Sequence, residues 1–291
     1  MPAAPPAATE GRAFRFVQFE FPWALGPADG RYVVRDAADA TPSHVLVLAT
    51  LGAPERRRLR DRRARPVAAE PPPSPVTTAR ATVVDAVPVS IAEAERWLVD
   101  AGPNDAERAL AQVARAVRAH RLASGDPAVH EPALAQALVV RAGHGAGEQV
   151  AEGRWGAARE LPPARVARQR RVAGLQPQER LAALLGGHAH PLACEELTLR
   201  ARHDLDSDQL REAALQLRAA LDAALGELPT APDASADMTG RLAELRERRP
   251  AVAALADDAL SGALPPEAGE TLGATLQRLE AALRGRIAST N

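Results

Sequence analysis

The aromatic side chains of this chain are concentrated near its N-terminus. All four phenylalanines lie within residues 14–21, and six of the eight aromatic residues precede residue 33. The hydrophobic fraction is 46%, but alanine supplies much of it and only 3% of the residues are aromatic. Alanine removes little apolar surface from water. A bulky core can therefore form only around the N-terminal segment, and the remainder must depend on closely packed helices.

The phenylalanine-rich segment, residues 14–23, has the spacing of a β-strand. Phe14 and Phe16 share one parity, whereas Phe19, Phe21 and Trp23 share the other. Alternation with period two predicts a strand, and the change of parity predicts either a bulge or a strand covered on both faces. Further strands are predicted at 31–35, 44–50, 78–87, 137–141 and 148–155. Together they favour a small antiparallel sheet.

Helical signals follow the sheet. Ser90 and Glu93 have the spacing of a capping box, which predicts a helix from Ser90 to about Asp100. Beyond residue 162 the apolar spacing is helical, most clearly over 208–228. The sequence therefore predicts an α+β fold: a small antiparallel N-terminal sheet with packed helices, followed by a mainly α-helical C-terminal bundle.

The predicted domain organisation follows these composition shifts. Residues 1–12 are rich in proline and alanine and are expected to form a disordered tail. An α+β domain is expected over 13–161, interrupted by an arginine-rich and proline-rich linker at 55–77. A helical domain is expected over 162–291.

Composition excludes several function classes. The chain contains no lysine, so it cannot form a Schiff base through its own lysine or supply a phosphate-loop lysine. Its single cysteine, Cys194, excludes an intrachain disulfide, which suits a reducing compartment. No apolar stretch of about 18 residues and no signal peptide are recognised. We therefore expect a cytoplasmic protein with no membrane contact and no cofactor.

An arginine run is the candidate polyanion-binding site. The run could neutralise several phosphates, but no aromatic residue stands among the arginines to stack on bases. The alternative interpretation is a solvated segment beside a flexible linker. The candidate residues are Arg56, Arg57, Arg58, Arg60, Arg62, Arg63 and Arg65.

A histidine-containing segment, residues 188–196, is the candidate metal site. His188, His190 and Cys194 are zinc-ligand types. Their spacing matches no established zinc motif, and Glu195 and Glu196 could simply complement a helix N-terminus. The alternative interpretation is a surface loop followed by a buried small cysteine.

Two other patterns have structural explanations beside functional ones. The glycines in residues 143–147 could approach a phosphate, but a hairpin turn explains them better because the dinucleotide-motif spacing is missing. Phe19, Phe21 and Trp23 could line an apolar ligand pocket. Since few other aromatic side chains are present, the core of the sheet is the stronger interpretation for these three.

No catalytic motif is found, which favours a non-catalytic protein-interaction or scaffold role over an enzymatic one. The partner would be another protein, or a second copy, bound through the C-terminal helices. Leucines of the 208–228 segment could serve this role, although such residues more often form core. Two alternatives remain open: a nucleic-acid- or polyanion-associated regulator using the arginine run, and a metal-dependent enzyme using His188 and His190. The leucine stripe comprises Leu210, Leu217, Leu221, Leu225 and Leu228.

Overall fold

The chain divides into two compact units. The computed structural model describes residues 11–37, 39–52, 77–162, 177–228 and 236–289. The first unit, Met1–Arg165, contains the sheet, and the second, Val166–Asn291, is helical in its described part. The predicted α+β fold is confirmed. In the described part of the chain, no helix has both the length and the apolar character needed to span a bilayer.

The described strands of the first unit form one antiparallel sheet. The strand order is β2-β3-β4-β1-β6-β7, and the short β5 pairs with the beginning of β1. β1 begins at Arg12, inside the segment predicted as a tail. The strands are β1 (Arg12–Phe21), β2 (Gly30–Val34), β3 (His44–Leu51), β4 (Thr78–Asp85), β5 (Val89–Ser90), β6 (Val139–Gly145) and β7 (Ala157–Glu160).

β1 is the central strand and is covered on both faces. Its pairing with β4 continues without interruption from Phe16 to Phe21, so two-sided burial, and not a bulge, explains the parity change. Val17, Phe19 and Phe21 belong to the main core of the unit. On the opposite face, which we call the outer face, Phe16 packs against Val84 and Val150.

Two helices cover the other face of the sheet: α1 (Ile91–Asp100) and α2 (Pro103–Ser124). The predicted capping box is present, because the Glu93 backbone N–H donates to the Ser90 Oγ and the Ser90 N–H donates to the Glu93 carboxylate. At the other end of α1, Arg159 of β7 donates to the Leu98 carbonyl oxygen at 2.8 Å. Local capping and one long-range arginine therefore fix α1 on the sheet.

The hairpin turn predicted at 143–147 lies partly within a strand. Gly143 and Gly145 lie within β6, which extends past the predicted end at 141. A Cβ atom at Gly143 would lie 2.6 Å from Cζ of the Phe16 ring, and one at Gly145 would lie 2.6 Å from Val150. These glycines are needed because aromatic and aliphatic side chains rest directly on their backbone. A 3₁₀ turn, Glu148–Glu152, replaces the strand predicted at 148–155.

The second unit packs leucine against alanine. The helix Ala236–Ser261 continues through Pro250. The core of the second unit contains no aromatic residue. The helices are α3 (Pro177–Leu185), α4 (Ala193–Asp206), α5 (Leu210–Glu227), α6 (Ala236–Ser261) and α7 (Ala268–Ser289).

Candidate functional site

The predicted aromatic pocket lies in the core. Phe19 and Phe21 are completely buried, and their ring centroids are 6.2 Å apart. Trp23 packs beside them, with its ring centroid 5.1 Å from that of Phe21. None of the three lines either of the cavities described below. The structure therefore brings these residues together as packing and not around a space for a ligand.

The structure does not assemble the predicted metal ligands. His188 and His190 are exposed, whereas Cys194 is completely buried. Burial and the neighbouring Glu227 raise the pKa of the Cys194 thiol to about 12, so the thiolate needed by a metal is disfavoured. Among the described residues, no three His, Cys, Asp or Glu side chains form a group that could hold a metal ion.

The leucine stripe is part of the core of the helical unit. Every member of the leucine stripe packs in or against the core of the helical unit, and Leu217, Leu221 and Leu228 are each 1% exposed. A partner cannot reach those three side chains in the folded unit. The arginine run from Arg56 to Arg65 lies outside the described residues.

An apolar hollow lies on the outer face of the sheet, beside the edge strand β2. Its volume is about 300 Å³. Cross-strand pairing places Val33 opposite Val45 and Val45 opposite Val84, so these side chains share one face. Val33 is 57% exposed. The lining consists mainly of Phe14, Val33, Pro42, Val45, Val47 and Val84.

A second cavity, the polar cleft, lies on the helix-covered face. Its volume is about 490 Å³. β3 and β4 place His44 directly opposite Asp85, and Arg15 of β1 lies one residue beyond the Phe16–Val84 pair. α2 contributes three polar residues at spacings of three and four, which lie along one face of a helix. These helical residues are Asp105, Arg108 and Gln112.

The acids of the polar cleft are already paired. Arg15 binds Asp85 through Nε at 2.8 Å, and its guanidinium lies 5.4 Å from the ring centroid of Trp97. Asp105 accepts hydrogen bonds from the Trp97 indole at 3.3 Å and from Arg108 at 2.7 Å. This chain of contacts connects the sheet, α1 and α2 around the cleft.

The charge state of Asp105 follows from these contacts. Burial by itself raises the pKa of this carboxyl, but the hydrogen bonds from the Gly102 backbone N–H and the Trp97 indole outweigh it. The net result is a lowered pKa, so Asp105 is ionised near neutral pH. Asp105 therefore balances the charge of Arg108.

Two side-chain atoms of the polar cleft residues have no hydrogen-bond partner among the described residues. They are His44 Nδ1 and Gln112 Oε1, and both are covered from solvent. The other ring nitrogen of His44, Nε2, lies 3.7 Å from the Asp85 carboxylate. A buried polar atom without a partner costs about 1–3 kcal/mol. The polar cleft is therefore the part of the described α+β unit where most of the buried polar atoms without a hydrogen-bond partner are found.

Sequence analysis did not identify either cavity. The Asp105, Arg108 and Gln112 spacing was a partial signal, because it places three polar groups along one side of α2, beside the apolar face that meets the sheet. His44 and Asp85 gave no such signal, since their proximity depends on the β3–β4 register. In comparisons with protein-family models, curated proteins and solved structures, none matches this chain.

Proposed function

We propose that this protein is a non-catalytic interaction protein whose α+β unit binds an extended segment of a partner protein along β2. The proposal keeps the interaction role that composition and motifs favour, and it moves the surface from the C-terminal helices to the sheet. The observation that carries it is an exposed apolar edge strand beside an apolar hollow.

The backbone of β2 supports strand addition. Among the described strands, β2 pairs only with β3. The Val34 carbonyl accepts a hydrogen bond from the Ser43 N–H at 3.0 Å, on the β3 side. Successive residues of a strand direct their peptide groups to opposite edges, so the Val33 N–H and C=O point away from β3. An added strand would bond these groups, as in other β-strand additions.

The hollow supports an apolar side chain in the added strand. Val33 lines the hollow and is more than half exposed. A strand placed next to β2 directs alternate side chains to the outer face, over Val33 and the hollow. Burial of one aliphatic side chain there would contribute about 1.5–3 kcal/mol.

The charged side chains beside Val33 determine which kind of partner segment β2 would bind. Arg31 and Arg35 flank Val33, and both are exposed. In an antiparallel pair of two β2 strands centred on Val33, Arg31 of one copy would lie opposite Arg35 of the other, and like charges in that position are destabilising. A partner segment with acidic residues flanking an apolar one would be attracted. The favoured occupant is therefore a segment of another protein with an apolar residue and acidic residues two positions before and after it, all on one face of the added strand.

The test is selection of short linear peptides displayed on phage against the full chain. In the enriched peptides, every second position should alternate in the order acidic, apolar, acidic, so that the three side chains face Arg31, Val33 and Arg35. Val33→Pro removes the outward N–H, which an edge strand tolerates, and should weaken binding of those peptides about tenfold, as expected for one lost hydrogen bond. Val33→Ser should weaken binding through the lost apolar contact.

The matched control is Leu122→Ser, which removes an exposed leucine from α2, away from β2. It should leave peptide binding unchanged. Enrichment of peptides without this alternation, or equal binding by wild type and Val33→Pro, would refute the proposal. Circular dichroism of each variant separates loss of binding from loss of folding.

A further inference from the structure

The polar cleft is a second candidate site and does not depend on β2. It lies on the helix-covered face, whereas the hollow lies on the outer face. The two cavities share only Asp85 among their lining residues. Their chemistry also differs, because the hollow is lined by valine and the cleft by charged and amide side chains.

The unused donors of the cleft favour an anion. Arg108 donates to Asp105 through one terminal nitrogen, and no other hydrogen bond of its guanidinium is found among the described residues. Arg15 uses Nε and one terminal nitrogen on Asp85. Both carboxylates of the cleft are already bound, so the N–H groups that remain belong to cations. A carboxylate or similar anion is the complementary group.

The unpartnered amide oxygen favours a donor on the same ligand. Gln112 Oε1 can only accept a hydrogen bond. Arg108 and Gln112 are four residues apart on α2, which separates them by about 6 Å along the helix axis. Gln112 Oε1 is covered, so contact requires rotation of the amide about its last torsion, which has a broad energy profile. That rotation brings Oε1 to the cleft, where it can accept a hydrogen bond, and places Nε2 in the covered position.

We infer that the polar cleft binds a small monoanion that carries a hydroxyl or amine donor within about 6 Å of its charged group. The anion contacts the Arg108 guanidinium, and the donor contacts Gln112 Oε1. A short hydroxycarboxylate is the simplest molecule with this chemistry.

The test uses the indole N–H signal of Trp97 in NMR spectra of the full chain. The chain has three tryptophans, so the Trp97 signal is assigned with a Trp97→Phe variant. Glycerate is the probe, propionate lacks the donor, and glycerol lacks the charge. Glycerate should shift the Trp97 signal saturably and leave the Trp23 and Trp155 signals in place. It should bind about tenfold more tightly than either matched compound, as expected for loss of one hydrogen bond.

Two variants separate the roles of the cleft residues. Arg108→Gln should weaken glycerate and propionate alike, by about tenfold, because it removes the charge. Gln112→Leu should reduce glycerate binding to the level of propionate, because it removes the acceptor. Arg96→Gln on the exposed side of α1 is the matched control and should change nothing.

The inference would be overturned by an unsaturable response to glycerate, by equal affinity for glycerate and propionate, or by unchanged binding in Arg108→Gln. The Arg108 side chain is 76% exposed, so its replacement preserves the fold and keeps the test decisive if Gln112→Leu does not fold.

Discussion

The two units of this chain build their cores from different materials. All eight aromatic residues precede residue 156, and the core of the α+β unit is organised around Phe19 and Phe21. The core of the helical unit contains leucine and alanine, with one cysteine, one methionine and one valine. Large side chains fill the space between a sheet and its helices, whereas alanine lets helix backbones approach closely. The low aromatic content of the whole chain therefore combines one unit with an aromatic core and another whose core has no aromatic residue.

The buried polar side chains of the two units also form different kinds of hydrogen bonds. In the helical unit, Thr198 and Thr275 bond to carbonyl oxygens one turn earlier in their own helices. In the α+β unit, Gln18 is completely buried, donates to Thr82 and accepts from Arg141 across three strands. Polar groups joined over long sequence separations are what create sites with several convergent side chains. Both cavities described above accordingly lie in the α+β unit.

The largest expected effect is at Phe19. Phe19→Ala leaves a void in the fully buried centre of the α+β unit and should lower its free energy of unfolding by about 3–5 kcal/mol. All three tryptophans lie in this unit, so denaturant unfolding followed by tryptophan fluorescence measures it. A loss below about 1 kcal/mol would mean that the aromatic residues do not dominate this core.

Glycine substitutions should have opposite signs in the two units. Gly143→Ala places a Cβ atom against Phe16 and the Ala157 carbonyl and should destabilise the α+β unit by about 1–3 kcal/mol.

The matched substitution is Gly226→Ala in α5. A Cβ atom there meets no atom within 4 Å, and alanine should stabilise the helix by about 0.5–1 kcal/mol. Fluorescence measures the first variant and far-ultraviolet circular dichroism the second. Destabilisation by both substitutions, or by neither, would remove the distinction drawn between the units.

The sequence predicted the parts of the fold that depend on local spacing. The alternation in β1, the capping box of Ser90 and the helical bundle are all confirmed. The end of β6 was missed because Gly143 is required by the Phe16 ring, which is distant in sequence. The Glu148–Glu152 turn was missed although the contact of Val150 with Gly145 is local. Local turn chemistry cannot reveal a glycine that is required by a long-range contact.

The polar cleft also depends on contacts between residues that are distant in sequence. The α2 residues Asp105 and Arg108 could have been placed on one face from spacing alone. His44 and Asp85 are 41 positions apart, and only the register of β3 and β4 places them opposite each other. Sequence reasoning instead singled out His188 and His190, which are close in sequence and remain exposed.

A final prediction concerns a helix cap supplied from another helix. At the start of α4 the Leu192 N–H donates to the Glu195 carboxylate of the same helix, whereas the Ala193 and Cys194 backbone N–H groups donate to the Glu227 carboxylate at 3.1 and 3.0 Å. Burial by itself raises the pKa of Glu227, but these bonds outweigh it and lower that pKa overall. Glu227→Gln should therefore cost the helical unit about 1 kcal/mol at neutral pH, as for loss of other caps.

The pH dependence of this effect has a definite sign. Because the folded pKa of Glu227 is below its ordinary value, its contribution is complete above that ordinary value and is lost as pH falls through the folded pKa. The stability difference between wild type and Glu227→Gln should then shrink on acidification, as measured by denaturation followed by circular dichroism. Glu196→Gln is the control, because Glu196 is exposed and pairs only with Arg200 one turn away among the described contacts. A difference that stays constant into the acid range would show that Glu227 acts through packing and not as a charged cap.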